Sequence, residues 1–239
     1  MAKRQIMISG AVLIILCYLP IFLLDRGSLF PLTAEDGFYE SLGALFFFIA
    51  SVAFLFLFLK AKNKNIFFLL FSFTFLFAAG EEISWGQRIF NFDVPFVEAN
   101  NAQKEFNFHN LDFIQHENGL GSSLKGMLFN FNRLFMLTWT MYCILIPLTN
   151  KYSDRLKNMF SRMRLPIVSL WFGALFVANE ITSKTLEVVW LACQSDSCPK
   201  VYEIKEALWG AFVFLWAVYF FFGCDVAPLV EKPIGEQYS

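Results

Sequence analysis

Charge is scarce in this chain. Asp, Glu, Lys and Arg make up 16% of its 239 residues, against about a quarter in an ordinary soluble domain. The two signs nearly cancel, 19 basic against 20 acidic side chains, so no basic excess exists to attract nucleic acid. There is no zinc-finger spacing, no Walker loop, no G-x-G-x-x-G and no H-E-x-x-H. Histidine occurs only at His109 and His116. What fills the chain instead is apolar sequence: 57% hydrophobic residues, 32 of them Phe, in long runs. Runs of that length and composition point to an all-α polytopic membrane protein.

The runs define six transmembrane helices. The first covers Ile6 to Leu24, behind Lys3 and Arg4, and is too long for the apolar region of a signal peptide. The second starts near Thr33, where Thr33-Ala34-Glu35-Asp36 resembles a capping box, and continues to Leu59. The third runs from Ile66 to Trp85 or beyond. A polar, Asn-rich loop, 91–123, carries both histidines. The fourth span covers Met127 to Leu148. The fifth begins near Leu165 and reaches Glu180 or further, and the sixth covers Glu206 to Gly223. These spans make one bundle over 1–224, and 225–239 forms a polar tail.

Basic residues orient the bundle. Lys3 and Arg4, Lys60 to Lys64, and the cluster from Lys151 to Arg164 fall on one side of a six-span arrangement. The positive-inside rule makes that side cytoplasmic, with both termini and the tail. Loop 91–123 then faces outward, as does the loop bracketed by Cys193 and Cys198. An outward loop admits a disulfide between those two cysteines, and two free thiols are the alternative. Cys17, Cys143 and Cys224 sit in or at the end of apolar runs and read as small hydrophobes.

Against this background the stretch from Gly80 to Arg88, with Glu81 and Glu82 at its head, stands out. Ionisable groups inside a membrane are costly and mark functional sites. At ~1.5 Å per helical residue, Glu81 and Glu180 both lie roughly 22 Å from the inner ends of their helices, and Arg133 roughly 24 Å. Glu81, Glu82, Arg88, Arg133 and Glu180 are therefore the candidate catalytic residues. Glu81 or Glu82 would activate water as general base, and Arg88 or Arg133 would hold an anionic group. The alternative is that the arginines only neutralise the acids as structural ion pairs. Glu35, Asp36, Glu203 and Glu206 lie at or before the starts of outward-beginning helices, where acids complement the helix dipole. Glu40 lies past that first turn, four residues from Asp36 on one face. His109, with Glu81, is a candidate ligand pair for a divalent metal such as zinc.

Two resemblances follow from these residues. Glu81-Glu82-Ile83-Ser84-Trp85-Gly86 resembles part of the first motif of the CAAX-type intramembrane glutamic proteases, a glutamate pair followed after three residues by arginine. Gly86 stands where that arginine would be, Arg88 comes two positions late, and the later histidine motifs have no counterpart. The combination of Glu35-Asp36-Gly37 with Glu40, Gly80 to Arg88 and His109-Asn110 is similar to a group of bacterial polytopic membrane proteins. That resemblance implies a bacterial inner-membrane location and no particular activity. The expected function is a membrane-embedded hydrolase, metal-dependent or not, acting on a lipid or membrane peptide. A proton- or cation-coupled transporter, an ion-binding sensor and a structural subunit are the alternatives. The inner halves of the second and third spans are almost wholly apolar, which disfavours a through-pathway.

Overall fold

A computed structural model describes residues 2–61, 64–101, 104, 106–108, 131–189 and 199–222. His109, His116, Cys193, Cys198 and the tail lie outside the described residues, as does the side chain of Arg88. The described chain is helical. Its helices are α1 (Ala2–Leu23), α2 (Arg26–Thr33), α3 (Phe38–Lys60), α4 (Ile66–Glu82), α5 (Phe131–Thr140), α6 (Ile146–Tyr152), α7 (Asp154–Met163), α8 (Leu170–Val189) and α9 (Val201–Phe221). Single turns at Gln87–Phe90 and Pro95–Glu98 follow α4.

Among the described residues, three stretches are long and apolar enough to cross a membrane: Arg4–Leu23, Arg26–Lys60 and Val201–Phe221. The first two present Ile15, Leu16, Phe22, Phe48, Val52 and Leu59 outward. In water so large an apolar surface would drive aggregation; in a bilayer it is the lipid-facing side. The third stretch, α9, is the axis of the fold. Of its span, 78% is buried in protein, against 22% for Arg4–Leu23.

Close approach of α3 to α9 depends on small residues. A Cβ on Gly43 would stand 3.2 Å from Ala207 Cα, and one on Gly210 would stand 2.8 Å from the Gly43 carbonyl oxygen. Small residues let backbones approach and gain dispersion contacts where no hydrophobic force separates helix from lipid. Aromatic rings fill the remaining volume. Phe54 lies 5.6 Å from Phe75 and 6.1 Å from Phe68, centroid to centroid. Trp216 on α9 packs on Phe75, Trp139, Tyr142 and Phe172, and so joins α4, α5, α8 and the turn after α5.

Several helix boundaries differ from the sequence expectation, each for a local reason. Thr33 ends α2 rather than starting a span. Its hydroxyl bonds back to Leu29 O and accepts from Lys200 N, and α3 starts after Gly37. Glu40 therefore falls in the first turn of α3, and its carboxylate accepts from Asp36 N. The helix expected as the third span ends at Glu82, not beyond Trp85. Ser84, Trp85 and Gly86 take φ of 46°, 52° and 77°, a left-handed turn that costs non-glycine residues energy. The helix expected as the fourth span is interrupted by a π-helical turn, Met141–Leu145. Pro147 has no N–H for the Cys143 carbonyl four residues earlier, so the ladder shifts to the wider spacing. The helix expected as the fifth span starts at Leu170, and Pro166 disfavours helix at Leu165 before it. The helix expected as the sixth span starts at Val201, not Glu206, which brings Glu203 into its first turn. Cys143 is buried and Cys17 half-buried, both as free thiols, as their apolar runs imply.

Candidate functional site

The end of α4 is built around Glu81. Its side chain is 6% exposed, and both carboxylate oxygens accept hydrogen bonds. Trp85 Nε1 donates to Oε1 at 2.6 Å, and the Phe108 backbone N–H donates to Oε2 at 2.8 Å. The left-handed turn makes the first contact possible by folding Trp85 back over α4. There it packs on the face of Gly80, where a Cβ would meet the indole at 2.9 Å. Trp85 also meets Phe77 edge-on at 5.4 Å, and Phe77 stacks on Phe108 at 6.1 Å.

The neighbouring loop is stitched on by amides. Phe106 N donates to Gln87 Oε1 at 2.5 Å. Asn107 Nδ2 reaches Ser84 Oγ at 3.4 Å, and Asn101 Nδ2 donates to Asn107 O and Oδ1, both at 2.9 Å. Glu81 thus acts as the anchor that holds residues 106–108 against the end of α4. Sequence reading missed Gln87, Asn101 and Asn107 because ordinary polar loop residues carry no spacing that distinguishes them.

Glu82 points into a different environment. It is half-buried, and the charges acting on it are those of Glu206, Glu40, Glu81 and Glu35, in decreasing order. Glu203, 4% exposed, faces Glu206, Glu35, Glu40 and Glu82. Carboxylates from the α2–α3 turn, α3, α4 and α9 therefore converge at one end of the bundle. Lys200 joins them as an ion-pair partner of Glu35, with Tyr202 Oη donating to the same oxygen at 3.4 Å. Glu35 is thus bound across to the start of α9 rather than serving the dipole of its own helix.

Glu180 belongs to a second polar group, built from α8 and α9. Trp209 Nε1 donates to its Oε1 at 3.1 Å, and Lys205 is its principal charged neighbour. Lys205, 7% exposed, lies over the Trp209 ring with Nζ 4.7 Å from the centroid. Asn179 Nδ2 donates to Lys205 O at 3.0 Å, and Tyr18 Oη donates to Asn179 Oδ1 at 2.8 Å. Ser183 Oγ is buried beside the Tyr18 hydroxyl without a well-formed hydrogen bond. Arg133 is exposed on α5. The structure thus brings Glu82 together with acids from α3 and α9, turns Glu81 to Trp85 and the loop, and groups Glu180 with Lys205 and Trp209.

Among the described residues no group of three or more His, Cys, Asp or Glu side chains is arranged to hold a metal ion. The oxygens of Glu81 are engaged by Trp85 and Phe108, and His109 follows Phe108 outside the described residues.

No family model matches this chain, and no curated protein or solved structure is significantly similar to it.

Proposed function

We propose that this chain is a six-span membrane protein whose carboxylate site works as a membrane-embedded hydrolase, open at one end of the bundle. The observation that carries the reading is the convergence of Glu82 and Glu203 with Glu35, Glu40 and Glu206 at that end. Beneath it, towards the start of α4, the rings of Phe75, Phe54, Phe68, Trp216 and Phe220 fill the space between α3, α4 and α9. A carboxylate group above a packed floor suits chemistry on a substrate entering from the membrane or its surface.

In this reading Glu82 takes the proton from an attacking water, and Glu203 delivers a proton to the leaving group. Paired carboxylates serve such roles when their environments differ, and Glu203 is the more deeply buried of the two. Glu81 positions the site by holding Trp85 and the loop. Arg88, six residues along the chain from Glu82, is the group to meet an anionic part of a lipid or peptide substrate, with Arg133 its alternative. The remaining spans are α4, the continuous helix from α5 through α6, and α8. An inner-membrane setting rests on the sequence resemblance alone.

A second reading is favoured by the like charge crowded around Glu82: a bound cation would relieve it, as in an ion-binding sensor or transporter. A transport path is the less supported form. Ser51 and Ser72, the buried polar pair on the inner halves of α3 and α4, are bonded to each other, Ser51 Oγ donating to Ser72 O at 2.8 Å.

The test is a hydrolysis screen of the purified protein against lipid esters and membrane peptides, with Glu82→Gln and Glu180→Gln beside the wild type. Loss of a general base costs about 10²- to 10⁴-fold in rate. The reading expects that loss in Glu82→Gln and near-wild-type turnover in Glu180→Gln. Undiminished turnover in Glu82→Gln would end it. Absence of turnover throughout, with cation binding that Glu82→Gln abolishes, would establish the second reading.

A further inference from the structure

We infer that α7 is an in-plane interfacial helix whose basic, methionine-edged face binds anionic lipid headgroups at the end of the bundle opposite the carboxylates. This rests on the membrane setting of the chain and not on its chemistry.

The helix is cut off at both ends. Ser153 (φ −132°, ψ 107°) breaks the chain from α6 and caps α7, its Oγ accepting from Leu156 N at 3.4 Å. Arg164 ends it in the left-handed region at φ 56°. Its 10 residues rise only about 15 Å, half the hydrocarbon thickness, so it cannot be a span. Leu156, Met159, Phe160 and Met163 recur at helical spacing along one side. Phe160 is buried and Leu156 half-buried against the bundle. Met159, Met163 and the adjoining Tyr152 are 43%, 52% and 74% exposed. The other side carries Arg155, Lys157 and Arg162, all exposed.

The location of α7 is fixed by bonds to span ends. Asn65, which caps α4, donates through Nδ2 to Arg164 O at 2.9 Å. Tyr142 Oη donates to Pro166 O just beyond. The α3 terminus is close in sequence, and its lysines lie back along apolar rings: Lys60 Nζ is 5.3 Å from the Phe56 centroid and Lys64 Nζ 5.4 Å from that of Phe58. Lysine stems laid on hydrophobic surface with the ammonium at the edge are the posture of residues at a membrane boundary. A short helix at that level, with apolar side chains exposed beside a cationic face, matches the pattern of surface-lying helices that insert into the headgroup region. The complementary partner is an anionic phospholipid, for which each nearby Lys or Arg contributes roughly a fivefold gain in affinity.

The experiment is thermal unfolding of the full chain in neutral detergent, titrated with dioleoylphosphatidylglycerol or dioleoylphosphatidylcholine. Wild type should be stabilised by the former at concentrations where the latter has little effect. The variant Arg155→Gln/Lys157→Gln/Arg162→Gln should keep the lipid-free midpoint and need on the order of 100-fold more phosphatidylglycerol for the same shift. A folded triple variant that keeps the preference overturns the proposal, as does equal stabilisation of wild type by both lipids. If the variant does not fold, a salt series on wild type decides. The preference should fade towards about 0.5 M NaCl, and a salt-insensitive preference overturns the proposal. Equal protection by soluble polyglutamate would assign the face to an acidic protein and overturn it too.

Discussion

Replacing Trp85 by Phe removes one atom group, the indole N–H, and keeps an aromatic ring against Gly80. The buried Glu81 Oε1 then loses its 2.6 Å donor. A hydrogen bond to a charged acceptor contributes about 1.5–3 kcal/mol, and the smaller ring gives up part of its contact with Phe77. The docked loop should therefore open more often, by roughly 2 kcal/mol, or about 30-fold in population. Lys104 is exposed in that loop, so trypsin cleavage after it under conditions of fast reclosure reads the open population directly. Glu81→Gln should act through the same bond, because its amide presents a donor to one of two donors. The double variant should then lose much less than the sum, with a coupling of about 1–3 kcal/mol. Cleavage rates within twofold of wild type in both single variants would refute the assignment of Glu81 as the anchor. Additive effects would show that the two residues act separately.

Three further outcomes are expected. Gly210→Ala should lower the thermal midpoint, because the new Cβ meets the Gly43 carbonyl oxygen at 2.8 Å, a backbone atom with nowhere to go; overpacking of this kind costs about 1–3 kcal/mol, and an unchanged midpoint would mean that α3 and α9 do not cross so closely. Lys200→Gln should cost no more than about 1 kcal/mol in the same assay, since its pair with Glu35 is 28% and 33% exposed and partly screened; a much larger loss would show that the ion pair is shielded from solvent. Asp25 should titrate below the ordinary carboxylate range by NMR, because the Ser28 hydroxyl and N–H both donate to its ionised form, and Ser28→Ala should raise it. With the folded value depressed, the cap strengthens α2 above about pH 4 and is lost as pH falls through the folded value; titration at the ordinary value would remove the cap from the account.

The apolar runs were legible because lipid exposure demands continuous hydrophobic sequence, and α1, α3 and α9 lie where those runs put them. The ends were not legible. Thr33 has the residue pattern of a cap, but its hydroxyl is taken by Lys200 N from across the bundle, a partner distant in sequence. Trp85 follows a helical run without interruption by proline, and only the left-handed turn that carries it onto Gly80 ends α4 there. The central position of α9 was likewise hidden, since a buried span and a lipid-facing span are equally hydrophobic in composition. What distinguishes it is the small residues Ala207 and Gly210 facing Gly43, and these are informative only once the partner helix is known.

The adjacency of Glu81 and Glu82 was the strongest signal in the sequence, and the structure divides the pair. Successive residues at a helix end are about 100° apart, so one carboxylate turns to the loop and the other to α3 and α9. Glu81 receives its donors from residues 85 and 108, and Glu82 meets acids from three other elements. The two adjacent glutamates thus do two jobs: the first fixes the rim and the second supplies charge to the interior of the site. Depth along the helix, which was the basis for grouping Glu180 with them, gives no angular information. Glu180 therefore shares a layer in depth, while its own indole and ammonium partners, Trp209 and Lys205, group it separately from Glu81 and Glu82. If the division is right, Glu82→Gln should abolish function while leaving trypsin cleavage at Lys104 unchanged, and Trp85→Phe should do the reverse at the level of the loop. Equal effects of both variants on both readouts would mean that the rim and the interior form one unit.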